Sequence, residues 1–387
     1  MAAYVNLMAG DPAPWFHQRS ASYPRYAFDT AGGRYIVLCF FASAGDPRGR
    51  RAVDAVLARR QVFDDVKACF FGVSLDPADE AEKRVADSFP GLRFFWDFDA
   101  KVSKLYGAAA SDADPAKGKI AVVCMWVVLD PTLRIMRLIP FAEDGTDSDQ
   151  LLTYVEGLPP PAQFPGFEIQ APILVLPNVF EPEFCTTLID HYEAGGGADS
   201  GFMQEIDGKT VVVTDHDHKR RRDYTISDPE LIRQARQRVH RRIVPEILKV
   251  HQFKVTRMER YLIGCYTAED GGHFRAHRDN TTKGTAHRRF AVSINLNRDF
   301  EGGSIMFPEY GPRGYKPPPG GAVVFSCSLL HAVTQVTRGR RYAFLPFLYD
   351  DEAAKVREAN IASLGDGSAT YNAALGMPDP GRPVSDA

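Results

Sequence analysis

The sequence predicts an α/β unit followed by a second unit in which helices back an antiparallel β structure. Three observations carry that expectation. A chain of 387 residues is longer than one hydrophobic core usually serves. Residues 1–158 alternate continuous apolar runs with stretches of helical period, whereas residues 172–352 open on two helical stretches and continue in short strand-like runs. Between them, Gly157-Leu-Pro-Pro-Pro-Ala-Gln-Phe-Pro-Gly166 breaks both periodicities. The expected division is a first domain over 1–158, a stiff Pro/Gly linker over 159–171, a second domain over 172–352 and a tail over 353–387.

In the first domain, Tyr35 to Phe41 is wholly apolar and bounded by glycines, the pattern of a strand buried on both faces. Arg50 to Asp65 has the spacing of an amphipathic helix, with Val53, Val56, Leu57 and Phe63 on one side. A strand over Ala68–Ser74, a helix over Glu80–Ser88 and strands over Leu92–Trp96 and Ala121–Leu129 follow. Strands alternating with helices predict a mostly parallel sheet. Several segments resemble the peroxiredoxin branch of the thioredoxin fold: Gly10-Asp11-Pro12-Ala13-Pro14-Trp15-Phe16, Gly72-Val73-Ser74-Leu75-Asp76, Asp97-Phe98-Asp99 with Tyr106-Gly107, and Val128-Leu129-Asp130-Pro131. In that family the loop after the first long strand carries the peroxidatic cysteine. Here Phe41 to Arg50 contains none. Cys39 and Cys69 lie in buried-strand patterns, where thiols are inert far more often than reactive. The resemblance therefore implies a thioredoxin-like, non-catalytic module, a scaffold or the seat of a homodimer.

In the second domain, Ala171 to Leu176 reads as a strand, and Glu181-Pro182 opens a helix that stops at Gly195-Gly196-Gly197. A second helix is expected over about Pro229–Val250. Strands are then expected over Lys254–Tyr266, Arg289–Leu296, Gly303–Phe307, Ala322–Ser326, His331–Val336 and Tyr342–Tyr349. Helices packed on such a run fit a double-stranded β-helix, or jelly-roll, of α+β class.

The chemistry gathers at His277, Asp279 and His331. Residues two apart on a strand face the same side, so His277 and Asp279 can both point into a barrel. His331 follows an apolar strand that an antiparallel pairing would bring to the same centre. Two histidines and one carboxylate form the facial triad of non-haem Fe(II) sites. Thr337-Arg338-Gly339 reads as a hairpin turn that returns Arg341 to the barrel, deeper than His331. A buried guanidinium beside a metal suits a dicarboxylate, because its planar fork binds a carboxylate through two N–H groups.

Tyr266, Gly272 to Asn280, Arg289, Leu296-Asn297, Phe300 to Gly303, Pro319-Gly320, His331 and Gly339 to Arg341 together resemble prolyl-4-hydroxylase-type 2-oxoglutarate/Fe(II) dioxygenases. That resemblance spans about 100 residues. It implies Fe(II) on His277, Asp279 and His331, with these three as the catalytic set. It further implies 2-oxoglutarate as co-substrate with its distal carboxylate on Arg341, O2, and ascorbate as a candidate accessory. Tyr266 matches a tyrosine that contacts the co-substrate; its interval to His277 is longer than in the family, and Tyr261 is the alternative. Arg289 and Asn280 are further pocket candidates. The reaction implied is hydroxylation of a C–H bond in a protein, peptide or small-molecule substrate, yielding succinate. Asp279 argues against the halogenating relatives, which lack that ligand.

Other polar clusters have blander readings. Asp215-His216-Asp217-His218 has metal-like composition but no third partner at a recognisable spacing, which favours a surface loop. Lys219 to Arg222 reads as a solvated or ion-paired face, with a grip on a carboxylated substrate as the alternative. His273 is out of phase with the triad, His287 and Arg288 read as loop residues, and Arg340 alternates to the solvent side. A net charge of -3 supplies no attraction to nucleic acid, and no apolar run is long enough to span a membrane. Six cysteines without CxxC pairing, and an N-terminus without a signal-peptide pattern, predict a cytoplasmic protein. Two rival functions follow from the same residues: a thiol peroxidase with an appended barrel, and a catalytically silent binding module.

Overall fold

The computed structural model describes residues 3–365. By internal contacts the chain divides between Ala171 and Pro172, with Pro308–Pro312 grouped with the first unit.

The first unit is built on a five-stranded sheet of order β3-β2-β1-β4-β5, formed by β1 (Tyr35–Ala42), β2 (Ala68–Ser74), β3 (Leu92–Trp96), β4 (Met125–Leu129) and β5 (Ile135–Pro140). Strand β1 is apolar throughout because both of its faces are covered. Tyr35, Val37, Cys39 and Phe41 join one core cluster and Ile36, Leu38 and Phe40 the other. The sheet is mixed, not mostly parallel: β1–β2 and β2–β3 are parallel, whereas β1–β4 and β4–β5 are antiparallel. The cause is the tight turn after β4, where the Asp130 carboxylate accepts from the Thr132 and Arg134 amides and Leu133 takes a left-handed φ of 63°. The layer is an α/β sheet covered on both faces, as the alternation of apolar strands and helices predicts.

Helix α1 (Pro47–Ala58) starts at the Asp46 cap and stops well short of Asp65, because Asp64 caps the Val66 and Lys67 amides and Asp65 turns left-handed. Helix α2 (Pro77–Ala81) is likewise shorter than the expected Glu80–Ser88 helix and ends before left-handed Lys83. In this unit β5 (Ile135–Pro140), α3 (Lys101–Leu105) and α4 (Thr146–Glu156) went unread in the sequence. The loop after β1 carries Ser43, whose hydroxyl donates to Asp76.

The second unit is a jelly-roll of two facing sheets. Its elements are β6 (Leu174–Leu176), α5 (Pro182–Gly195), β7 (Ala198–Asp199), a hairpin of β8 (Phe202–Ile206) and β9 (Lys209–Val213), β10 (Lys219–Arg220), β11 (Arg222–Thr225), α6 (Pro229–Arg242) and α7 (Val244–His251). There follow β12 (Arg257–Glu259), β13 (Leu262–Thr267), β14 (His273–His277), β15 (Phe290–Asn295), β16 (Phe300–Gly302), β17 (Ile305–Met306), β18 (Gly314–Tyr315), β19 (Ala322–Ser326), β20 (His331–Val333), β21 (Val336–Phe344) and β22 (Phe347–Tyr349). The larger sheet runs β12-β22-β15-β21-β13-β11-β7, with β19 on β15 and β6 on β19. The smaller runs β10-β14-β20-β17-β18. Helices α5, α6 and α7 share a core with the outer face of the larger sheet, through residues such as Leu188, Val239 and Ile247 against Ile263 and Phe344.

Several boundaries differ from expectation for local reasons. The helix expected over 229–250 is two, because Pro245 starts a new one at α7. The strand expected over 254–266 breaks at Arg260, whose φ is 63°. Thr337-Arg338-Gly339 is not a turn; it lies inside the nine-residue strand β21. The break falls at Thr334–Gln335, where the chain leaves β20 of the smaller sheet and enters β21 of the larger. Within the expected tail, α8 (Asp351–Ala359) forms a capped helix, the Asp350 carboxylate accepting from the Ala353 amide; residues 366–387 lie outside the described part. Among the described residues, no helix is long and apolar enough to cross a membrane.

Candidate metal centre

Strands β14 and β20 pair antiparallel with Phe274 opposite Val333 and His277 opposite His331. Three steps along β14 therefore match two along β20, the signature of a β-bulge. The extra residue turns His277 onto the same side as Phe274, and their rings stack at 3.6 Å between centroids. Asp279 is not on a strand, as the alternation rule expected, but in the turn just beyond β14, held by its amide donating to the Cys327 carbonyl.

The three side chains converge. The Nε2 atoms of His277 and His331 lie 3.6 and 3.3 Å from the two oxygens of Asp279, and one ligand atom from each residue falls within 4.8 Å of the others. Both imidazoles donate Nδ1–H to a backbone carbonyl, His277 to Arg275 at 2.8 Å and His331 to Leu329 at 3.0 Å. That choice of tautomer leaves each Nε2 lone pair facing the centre, as metal ligation requires. Burial, then the neighbouring His277, pushes His331 down to about 4, so its imidazole is neutral at physiological pH. Burial works against the Asp279 carboxylate, yet His331, His277 and Arg288 outweigh it and hold that group well below the usual range. The set offers two imidazole nitrogens and one carboxylate, walled by Phe274 and Phe325.

Arg341 lies on β21, directly opposite Tyr266 on β13. Its side chain is buried at 1% exposure; Nε donates to Asn295 Oδ1 at 3.1 Å and Nη2 to Ser293 Oγ at 2.9 Å. Nη1 has no hydrogen-bond partner, and among the described residues no carboxylate pairs with the group. Burial pushes its pKa below the ordinary arginine value. A buried guanidinium so oriented, with Nη1 unpartnered, is chemically able to bind a carboxylate. Arg341 and His331 therefore stand on opposite sheets of the jelly-roll rather than on adjacent arms of a hairpin.

The remaining candidates separate. Tyr266 is buried beside Arg341, 5.3 Å from the guanidinium carbon to the ring centroid, and its hydroxyl accepts from Arg221 Nη1 at 3.3 Å. Tyr261 packs with the helix-facing cluster on the other side of the larger sheet, so the structure leaves Tyr266 in the interior and removes Tyr261 from it. Asn280 is tied to Ser328 Oγ at 2.8 Å, and the Arg289 guanidinium donates to the Ala286 carbonyl at 3.0 Å. His273 is held by the Gly271 and Asp217 carbonyls, apart from the triad. His287 and Arg288 are buried, both bonded to Glu259 at 2.9 Å.

Sequence reasoning missed the role of 218–223. His218 is not a surface residue: its ring centroid lies 6.4 Å from that of His277 and 4.4 Å from that of Phe202. Lys219 and Arg221 are buried at 3% and 7% exposure, and Arg221 binds Asp223 through two hydrogen bonds. No period-two signal marks these residues, because the run Lys219-Arg220-Arg221-Arg222-Asp223 is charged at every position.

Residues 258–349 match the family described as the 2OG-Fe(II) oxygenase superfamily. Among curated relatives, the PKHD-type hydroxylase PiuC of Pseudomonas aeruginosa is 35% identical over 91 residues, 21% of this chain and 39% of that protein. A PKHD-type hydroxylase of Pseudomonas fluorescens is 41% identical over the same length and shares. The chain thus spans about two-fifths of the length of the curated relatives it matches. Among solved structures, a Pseudomonas putida prolyl-4-hydroxylase is similar at 15% identity and TM-score 0.36, over 46% of this chain and 91% of that one. Peroxidoxin BcpB from Mycobacterium tuberculosis is similar at 19% identity and TM-score 0.34, over 40% of this chain and 99% of that one.

Proposed function

We propose that the second unit is a 2-oxoglutarate- and Fe(II)-dependent dioxygenase that hydroxylates a C–H bond of a protein, peptide or amino-acid-like substrate. One oxygen atom of O2 goes to the hydroxylated product and one to succinate, with CO2 leaving from 2-oxoglutarate. The observation that carries this reading is the pairing of a His/Asp/His donor set with a buried guanidinium whose Nη1 has no hydrogen-bond partner. The first feature suits Fe(II) and the second suits a dicarboxylate co-substrate. The family match over 258–349 supports the same reading.

In this reading His277, Asp279 and His331 hold the metal. Fe(II), when bound, supplies the one-electron chemistry that activation of O2 requires. The chain's own part is orientation and exclusion of water. The Arg275 and Leu329 carbonyls fix the two imidazoles, and Arg341 anchors the distal carboxylate of 2-oxoglutarate through Nη1. Ser293 and Asn295 keep that fork in place, and Tyr266 forms the wall beside it. Phe274 and Phe325 keep the metal side apolar. We assign the first unit a scaffold or homodimerisation role, since its loop after β1 offers Ser43 where a peroxidase needs a thiolate.

Purified full-length protein supplied with Fe(II), ascorbate and O2 should turn 2-oxoglutarate into succinate, slowly even without a second substrate. His277→Ala should abolish it. Failure of the wild-type Fe(II) form to bind 2-oxoglutarate at all would overturn the reading.

A further inference from the structure

Among the described residues, the barrel interior holds one buried cation besides Arg341 that has no carboxylate partner, Lys219. Lys219 pairs with Phe274 across the β10–β14 ladder, so the two side chains share a face. Phe274 belongs to the interior cluster with Tyr266, Phe300, Val333 and Val336, and it stacks on the imidazole of His277. The Lys219 ammonium nitrogen accordingly stands over the Phe274 ring, 5.0 Å from its centroid. Arg220, the next residue, alternates outward and is exposed, its guanidinium bonded to the His216 and Asp270 carbonyls.

The groups that accept hydrogen bonds from Lys219 are neutral. Its ammonium donates to Ser200 Oγ and to the Gly201 carbonyl, both at 2.6 Å, which leaves the third N–H without an acceptor. Asp223 is engaged elsewhere: it takes two hydrogen bonds from Arg221, accepts from the Ser200 hydroxyl at 2.5 Å and faces Arg260 at 3.6 Å. Asp279 belongs to the triad. Two buried cations in the barrel, Arg341 and Lys219, thus have no carboxylate contact among the described residues. Taking an ammonium out of water without an anion is strongly unfavourable, and burial with the adjacent Arg221 pushes the Lys219 pKa far below the ordinary lysine value.

The two cations stand on different sheets, Arg341 on β21 of the larger and Lys219 on β10, the outermost strand of the smaller. One carboxylate spanning both is therefore not the economical arrangement. We propose that Lys219 is a second carboxylate receptor, separate from Arg341, which binds the carboxylate of an acidic ligand beside the triad. This rests on the 2-oxoglutarate reading above. Two ligands can bring that group: the keto-acid end of 2-oxoglutarate, or a hydroxylation substrate that carries its own carboxylate, such as an amino acid or a chain terminus.

Two variants of the full chain separate a receptor from a structural lysine. Lys219→Gln keeps hydrogen-bonding capacity toward Ser200 and Gly201 but removes the charge; Lys219→Met removes both. The Fe(II) forms are titrated without oxygen against 2-oxoglutarate and against 2-oxobutanoate, which has the keto-acid carboxylate but no distal one. Succinate release is then followed with a panel of N-acetyl amino acids and their amides. If the keto acid is the ligand, both variants bind both compounds at least about tenfold more weakly. If the substrate is the ligand, binding of both compounds is unchanged, and the wild type's preference for acids over amides disappears in both variants. The proposal falls if 2-oxo acid binding is unchanged in Lys219→Gln and the wild type either shows no preference for acids or keeps it in that variant. A wild type that does not bind 2-oxoglutarate would instead refute the dioxygenase reading on which the proposal stands.

Discussion

Arg341 faces Tyr266 across the β13–β21 ladder, its guanidinium carbon 5.3 Å from the ring centroid, and Nη1 is the one donor of that buried fork with nothing to bind. Asn295 and Ser293 pre-orient the group, so little freedom remains to be lost when a carboxylate arrives.

Replacing Arg341 by Met should weaken 2-oxoglutarate binding on the order of a hundredfold, as loss of a buried, charge-assisted pair usually does. The measurement is an anaerobic titration of the Fe(II) form followed by its charge-transfer absorbance. Arg341→Lys should recover only part of the affinity, because a point charge lacks the planar fork. Tyr266→Phe, which removes only the 3.3 Å bond from Arg221, should cost less than about tenfold. Wild-type affinity in Arg341→Met would remove the co-substrate assignment.

The bulge in β14 makes a second prediction. Because three steps from Phe274 to His277 match two from His331 to Val333, deletion of Ala276 should restore an even ladder in which His277, now two steps from Phe274, keeps the same face and still stands opposite His331. Fe(II) or Mn(II) affinity should therefore stay within about tenfold of wild type, whereas His277→Ala should lower it by at least about a hundredfold, as for loss of a ligand. Loss of metal binding in the Ala276 deletion, with native far-ultraviolet circular dichroism, would show that the bulge itself and not the face shared with Phe274 positions the histidine.

The thiol peroxidase rival meets the burial of its cysteines. Cys39 and Cys69 are 0% and 1% exposed. Burial pushes Cys69 up to about 12 and Cys39 well above its ordinary value, so neither offers a thiolate at neutral pH. The native protein should therefore consume no hydrogen peroxide through these thiols. Mass spectrometry after brief alkylation should find Cys124, the half-buried cysteine, labelled well before either of them. Fast labelling of Cys39 or Cys69 would reopen the peroxidase reading.

What the sequence disclosed follows from which physical signal each element needed. Strand β1 was legible because both faces are buried, which makes Tyr35 to Phe41 apolar without interruption. The triad was legible because ligation restricts residue type, although Asp279 reaches it from a turn rather than by strand alternation. Gly339 misled for an identifiable reason. It has φ of +72°, and a Cβ there would sit 2.2 Å from the Asp299 carbonyl oxygen, so the glycine serves the close approach of β16 to β21 and not a turn. His218 and Lys219 were hidden because charged and metal-like residues in a polar run look solvated, and only pairing of β10 with β14 turns Lys219 inward. No local pattern encodes that pairing.

His218 gives a pH prediction whose sign can be worked out. Its ring lies between Phe202 and Phe274, and it faces His273, Arg275 and His277 on β14 with Asp215 in its own loop. Burial, then His277, pushes it down to about 4, with Asp215 opposing. The unfolded chain, with an ordinary histidine pKa of about 6.5, therefore binds more protons than the native one between those values. Stability from this group is fully present above pH about 6.5 and is lost as pH falls toward 4. His331 acts in the same direction and remains in any His218 variant. In metal-free protein, wild type should melt at a lower temperature at pH 5 than at pH 7, and His218→Phe should reduce that difference by a few degrees. That corresponds to on the order of 1 kcal/mol after allowance for partial exposure. An identical pH dependence in the variant would mean that His218 titrates as it does in water and does not sense the buried face of β14.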